Sequence, residues 1–180
     1  MKIDLHSHSF YSDGVLSPSE VVTLASQAGC ELFSLTDHDT TEGSAEAKLE
    51  ADKLNLSLIN GVEISAFWRN MAIHILGLGI DINNDILQTG LEHNQKLRKE
   101  RAEKIALGLW RSGIKDALEK TQSFSKTDML TRTHFAQMLI SEGYCKDMKA
   151  VFRRYLTGKK PGGVSVCLLY TSPSPRDLRK

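Results

Sequence analysis

Residues 31–39, Glu31-Leu32-Phe33-Ser34-Leu35-Thr36-Asp37-His38-Asp39, pass from a short apolar run straight into two carboxylates and an imidazole. The run 31–36 has the length and composition of a strand, and it delivers its polar residues at its carboxyl end. Upstream, Ser17-Pro18-Ser19-Glu20 is a helix start: Ser17 is the N-cap, Pro18 the first helical residue, and Glu20 closes a capping box. Val21, Leu24, Ala25 and Ala28 are then expected to form the buried stripe, with Gly29 as the stop. Downstream, residues 42–54 are rich in Ala, Glu, Lys and Leu and predict a second helix. Residues 2–6 alternate apolar and polar as a first strand, and 56–63 and 72–80 read as the third and fourth. A βαβαβ order with short connections predicts a mostly parallel α/β sheet or barrel. In such folds functional side chains collect at the carboxyl ends of the strands.

The chemistry-bearing residues fall at those ends. In Asp4-Leu5-His6-Ser7-His8 the two imidazoles are two apart, so on a strand they share a face and can reach one cation. Asp13 follows in the Gly-containing loop Ser12-Asp13-Gly14. Asp4 lies on the same strand face, and its position suits ligation and the orienting of a neighbour equally. Two carboxylates and an imidazole at 37–39, beside a second such cluster, would repel and be costly to desolvate without a cation. His38 is the ligand candidate there, with Asp37 and Asp39 as ligands or as groups that orient ligands. Glu63, at the end of an apolar strand, could bridge two cations, and paired cations clamp the attacking and leaving oxygens of a phosphoester. His74, in Ile73-His74-Ile75, is a candidate on position alone, whereas His93 has no partner nearby and reads as a surface residue. Nitrogen and oxygen donors together suit Mn²⁺, Fe²⁺ and Zn²⁺.

The chain has 180 residues, 41% hydrophobic and 25% charged, with a net charge of +1. This is one domain's worth of soluble globular sequence, without bulk attraction to nucleic acid, although a local basic groove is still open to it. Cys30, Cys145 and Cys167 lack a CxxC spacing, which argues against a disulfide framework and a thiolate zinc site. No apolar run reaches membrane-spanning length and the N-terminus enters a strand directly, so a cytoplasmic location is expected, with no membrane and no stable protein partner.

After Asp85 the texture becomes helical. Residues 86–111, 127–143 and 148–156 predict helices, and 85–156 reads as a helical insertion or cap on the N-terminal α/β part, residues 1–84. Residues 157–166 would then return toward the sheet. Arg98 and Arg101 share a helix face and could fork onto a phosphate, or form a solvated charged face. Lys159-Lys160-Pro161-Gly162-Gly163 is basic and Gly-rich but lacks P-loop order. Residues 167–180 have no apolar period and resemble translated adaptor read-through, so they read as a non-native tail.

Together, Asp4–His8, Ser12–Gly14, Leu35-Thr36-Asp37-His38-Asp39-Thr40, Gly61-Val62-Glu63-Ile64-Ser65, His74-Ile75-Leu76-Gly77, Thr131-Arg132-Thr133-His134 and Val151-Phe152-Arg153-Arg154-Tyr155-Leu156 resemble the PHP (polymerase and histidinol phosphatase) family. The likeness is greatest to its 3′,5′-nucleotide bisphosphate phosphatases and 5′–3′ exoribonucleases, and it runs from residue 2 to about residue 164. It implies a distorted (β/α)7 barrel with an inserted helical domain, incomplete in this chain. It also implies a centre of as many as three divalent ions, typically Mn²⁺, with Zn²⁺, Fe²⁺ or Mg²⁺ as alternatives. The matching ligand positions are His6, His8, Asp13, His38, Glu63 and His74, and the catalytic ones Asp13, His38 and Glu63. Arg98, Arg101, Arg132 and His134 match the region that holds substrate phosphate and nucleotide.

The implied activity is metal-dependent phosphoester hydrolysis on nucleotide bisphosphates or RNA 5′ ends. A histidinol-phosphatase-like activity and a non-catalytic metal-binding module are the alternatives. Family members continue further, with three more ligands in an Ala-His-Pro segment and a late Asp-x-His pair. No histidine follows His134 here. Weak metal binding, low or no turnover and an open apolar sheet edge are therefore expected of this chain.

Overall fold

The computed structural model describes residues 1–68 and 71–164. The reading of 167–180 as a non-native tail lies outside the described residues. The sheet half runs β1 (Ile3–Asp4), α1 (Pro18–Gln27), β2 (Leu32–Phe33), α2 (Ser44–Lys53), β3 (Ser57–Leu58), β4 (Gly61–Trp68) and β5 (Met71–Leu78). The helical half follows with α3 (Asp85–Arg111), α4 (Ala117–Gln122), α5 (Arg132–Ser141) and α6 (Met148–Val151), which continues as a π-helical turn over Phe152–Leu156.

The first half begins as the sequence predicts. β1, β2 and β3 pair in parallel in that order, joined by α1 and α2. The ladders are short, but irregular bonds extend them toward the site: Ser34 N–H donates to Asp4 O at 3.0 Å and Thr36 N–H to Ser7 O at 2.9 Å. The Ser17–Glu20 capping box forms, and Gly29 ends α1 at φ +80°, a backbone state that glycine adopts without steric cost. The buried stripe is rotated from the expected one. Val22 and Ala25 are buried with Pro18, while Leu24 and Ala28 are exposed. The apolar core here is Val22, Ala25, Phe33, Leu35, Ala47, Ala51 and Leu56, between the two helices and the sheet.

The remaining strands correct the parallel expectation. The predicted strand 56–63 is two elements, β3 and β4, and β4 pairs antiparallel with β5 from Gly61–Leu78 to Trp68–Met71. A parallel neighbour needs a crossover of a dozen residues or more, and the short link here allows only a hairpin. β4 is mostly buried, whereas Met71, Ile75, Leu76 and Leu78 of β5 are exposed, and β5 has no second strand partner among the described residues.

In the helical half α3 forms as predicted, capped by Asn84, whose side chain accepts from Leu87 N–H at 3.0 Å. The helix expected over 127–143 begins only at Arg132, where Thr131 is the N-cap, and α4 is an additional short helix. These helices enclose a second core built on Ile105, Leu109, Phe135, Met138, Leu139, Val151 and Leu156. No helix among the described residues is long and apolar enough to cross a membrane.

Candidate metal centre

Two backbone bonds bring the ligand-bearing segments together. Asp39 N–H donates to Glu63 O at 2.9 Å and Glu63 N–H to Asp37 O at 3.1 Å, so a parallel bridge sets His38 beside Glu63. His6 and His8 lie just beyond β1, in chain held to the 34–36 segment rather than in a regular ladder. His74 arrives from β5, opposite Ser65 in the hairpin register.

Four imidazoles surround the buried Glu63 carboxylate. Its Oε2 lies 3.0 Å from His6 Nε2, 3.1 Å from His8 Nε2 and 3.3 Å from His38 Nδ1, and its Oε1 lies 3.1 Å from His74 Nδ1. Asp13 Oδ1 stands 3.9 Å from His8 Nδ1 and 3.9 Å from His38 Nε2. Three overlapping triads result: His6–His8–Glu63, His8–Asp13–His38 and His38–Glu63–His74.

The donor set fits divalent cations. Donors about 2.1 Å from a common ion lie roughly 3.0–3.4 Å from one another, which is the spacing around Glu63. Of the four contacts only His6–Glu63 has hydrogen-bond geometry, and the buried His38 Nδ1 has no hydrogen-bond partner among the described residues. Lone pairs thus converge where proton-sharing would otherwise be required. Burial, helped by the nearby Arg98 and His8 and opposed by Asp13 and Glu63, lowers the His38 pKa to about 4. The ring is neutral at physiological pH, the state a ligand imidazole needs.

Asp37 and Asp39 hold the site without joining the triads. Buried Asp37 accepts from Ser9 N–H at 2.7 Å, Ser9 Oγ at 2.6 Å and Ser12 Oγ at 2.6 Å, which fixes the loop between His8 and Asp13. Asp39, at φ +54°, accepts from Ser65 N–H at 2.8 Å, Asn94 Nδ2 at 2.8 Å and Arg98 Nε at 2.6 Å. Arg98 also donates from Nη2 to Ser65 Oγ at 2.7 Å, so this network ties α3 to the sheet half. Burial alone would lift the Asp39 carboxyl; Arg98 and Ser65 outweigh it and hold the group below its ordinary value. Asp4 is exposed and accepts from His6 N–H at 3.3 Å, and His93 is exposed.

A cavity of about 580 Å³ opens beside the triads, lined by Asp13, His38 and His74 on one side and by Arg98, Arg101 and Arg132 on another. Arg98 is committed to Asp39 and Ser65, so the cavity cations without an acidic partner among the described residues are Arg101 and Arg132. Arg101 Nε is buried and has no hydrogen-bond partner among the described residues. Burial and the neighbouring Arg132 and Arg98 push the Arg101 pKa down to about 9, and burial with Arg98 lowers that of Arg132. Such uncompensated positive charge favours an anion in the cavity. His134 is buried: its Nδ1 accepts from Thr131 N–H at 3.2 Å and so closes the capping box of α5. Its neighbours Thr131, Arg132 and Thr133 line the cavity, and Thr133 Oγ1 donates to Asp13 at 3.3 Å.

Sequence reading did not foresee the roles of Ser9, Ser12, Ser65 and Asn94. The available signal was the pair of acids at a strand end, which demands donors from elsewhere in the chain.

A PHP domain match covers residues 4–158. Over 164 residues the chain is 43% identical to the 3′,5′-nucleoside bisphosphate phosphatase of Chromobacterium violaceum, spanning 91% of this chain and 58% of that protein. It is 41% identical over 163 residues to the 5′-3′ exoribonuclease Rnm of Escherichia coli, spanning 89% of this chain and 56% of that one. The structure of a Chromobacterium violaceum amidohydrolase with bound sulfate and no metal matches with a TM-score of 0.88 at 43% identity, over 92% of this chain and 58% of the other. The chain thus spans less than two thirds of the length of these relatives. The matched segment contains every member of the triads and all three cavity arginines, and the chain belongs to the PHP domain family.

Proposed function

We propose that this chain is the metal-bearing part of a phosphoesterase acting on 3′,5′-nucleotide bisphosphates or on the 5′ ends of RNA. The observation that carries the reading is one cavity shared by two kinds of group: the triads around Glu63, and Arg101 and Arg132, which have no acidic partner among the described residues. His6, His8, Asp13, His38, Glu63 and His74 would hold the divalent ions, Mn²⁺ foremost and as many as three in the whole protein. Bound there, such ions supply an activated water and offset the charge developing on the phosphoryl oxygens.

The chain's own residues do the rest. Glu63 links the triads and keeps their imidazoles in register. Asp13, held by Thr133, anchors the edge nearest the cavity. Arg101 and Arg132 hold the substrate's second phosphate, with Arg98 fixing the helix from which Arg101 projects. A monophosphate of a small amino alcohol needs no such second grip. The named relatives support a nucleotide substrate, since one is called a bisphosphate phosphatase and another an exoribonuclease.

In architecture we read residues 1–84 as the first part of a distorted barrel, 85–156 as the inserted cap and 157–166 as the return, in a cytoplasmic enzyme. The test is to supply the full-length parent protein with Mn²⁺ and measure phosphate release from 3′-phosphoadenosine 5′-phosphate and mononucleotide release from 5′-phosphorylated RNA. A small amino-alcohol phosphate serves as the competitor. Release from either nucleotide substrate in preference to the competitor is expected; release from neither overturns the reading.

A further inference from the structure

The cavity has one wall that the phosphoesterase reading leaves unused. Thr157, Gly158, Gly163 and Val164 line it, and they are the two feet of a tight turn. The turn is closed by Lys160 N–H donating to Thr157 O at 3.3 Å and Gly163 N–H to Lys160 O at 2.9 Å. Gly158, at φ +60°, allows the reversal. Gly162 N–H donates to Tyr155 O at 2.8 Å, which ties the turn to the π-helical segment. The far side rests on α3, where a Cβ on Gly108 would lie 1.7 Å from Pro161 O. The turn is therefore a seated part of the cavity wall.

Its tip carries Lys159 and Lys160. Both are exposed, and neither side chain has a hydrogen bond or ion pair among the described residues. Residues 148–164 contain five basic side chains (Lys149, Arg153, Arg154, Lys159 and Lys160) and no acidic one, in a chain whose net charge is only +1. The positive charge is thus local to this segment and not a by-product of overall composition.

Building on the nucleotide reading above, we infer that this turn is a polynucleotide rail. With the terminal nucleotide in the cavity, the phosphates of the following nucleotides leave past Thr157 and Gly163 and meet Lys159 and Lys160. A mononucleotide bisphosphate ends inside the cavity and does not reach them. The turn then sets the preference for an RNA strand over a free nucleotide, through backbone charge and without base recognition.

The experiment compares two ligands on two proteins. Binding of a 3′-labelled, 5′-phosphorylated single-stranded RNA of about twelve nucleotides and of 3′-phosphoadenosine 5′-phosphate is measured across a salt series, for the wild type and for K159A/K160A. The double variant is expected to lose roughly tenfold in RNA affinity and about 1.4 in the slope of log affinity against log salt, at about 0.7 per lost phosphate contact. Bisphosphate affinity stays at the wild-type value, and K159R/K160R restores RNA binding. Unchanged RNA affinity, or an equal loss for both ligands, overturns the rail. Wild type that binds the bisphosphate but not RNA overturns the rail and leaves the phosphoesterase reading standing; wild type that binds neither overturns both.

Discussion

The two halves of the molecule hold their functional side chains by opposite means. Around the metal centre the decisive buried contacts are polar: Asp37 takes three donors from the His8–Asp13 loop, and Asp39 takes donors from Ser65, Asn94 and Arg98. The helical half is set instead by an apolar interior of Ile105, Leu109, Phe135, Met138 and Leu139, and it presents Arg101 and Arg132 from the edge of that interior. Ligands for a cation must be aimed to within fractions of an ångström, which directional hydrogen bonds achieve. Long cationic side chains that meet a phosphate need only a firm base, which packing supplies.

This contrast can be broken or sharpened by substitution. Phe135→Ala should cost the most, about 4 kcal/mol in urea unfolding, because it empties the centre of the helical core. It should leave Mn²⁺ affinity unchanged; a parallel loss of affinity would show that the halves are not separable. Arg98→Met strips the buried Asp39 of its cation and should destabilise by about 3 kcal/mol, measured in the same way. A loss below 1 kcal/mol, roughly the value of a surface pair, would mean the network does not join the halves.

Glu63→Gln should weaken Mn²⁺ binding by roughly 100-fold or more in calorimetry, since the group shared by two triads loses its charge. Acid titration probes Asp39. Its folded pKa lies below the unfolded one, so its contribution is complete above the ordinary carboxylate range and is lost as pH falls through the folded value. Stability of Asp39→Asn should accordingly fall less steeply than that of the wild type from about pH 5 downward. Asn84→Ala, which removes the cap of α3, should cost the least, about 1 kcal/mol in thermal unfolding.

The parts legible in the sequence were those encoded over short distances. The capping box at Ser17 and Glu20, the stop at Gly29 and the span of α3 all follow from residues a turn or two apart. His6 and His8 both approach the Glu63 carboxylate, although regular strand pairing ends at Asp4. What escaped depends on long separations. The partners of Asp39 lie 26 to 59 positions away, and nothing local to Asp37-His38-Asp39 distinguishes an acid that ligates from one that aims its neighbours. The rotation of α1 that exposes Leu24 and buries Val22 is likewise set by what α1 packs against.

The bridge between His38 and Glu63 has a consequence for motion. Because reciprocal backbone bonds join the two segments, thermal displacement carries the imidazole and the carboxylate together, and their separation varies less than the position of either. The pair behaves as a caliper of fixed opening. Warming the protein should therefore loosen its loops well before it alters the gap between these two side chains.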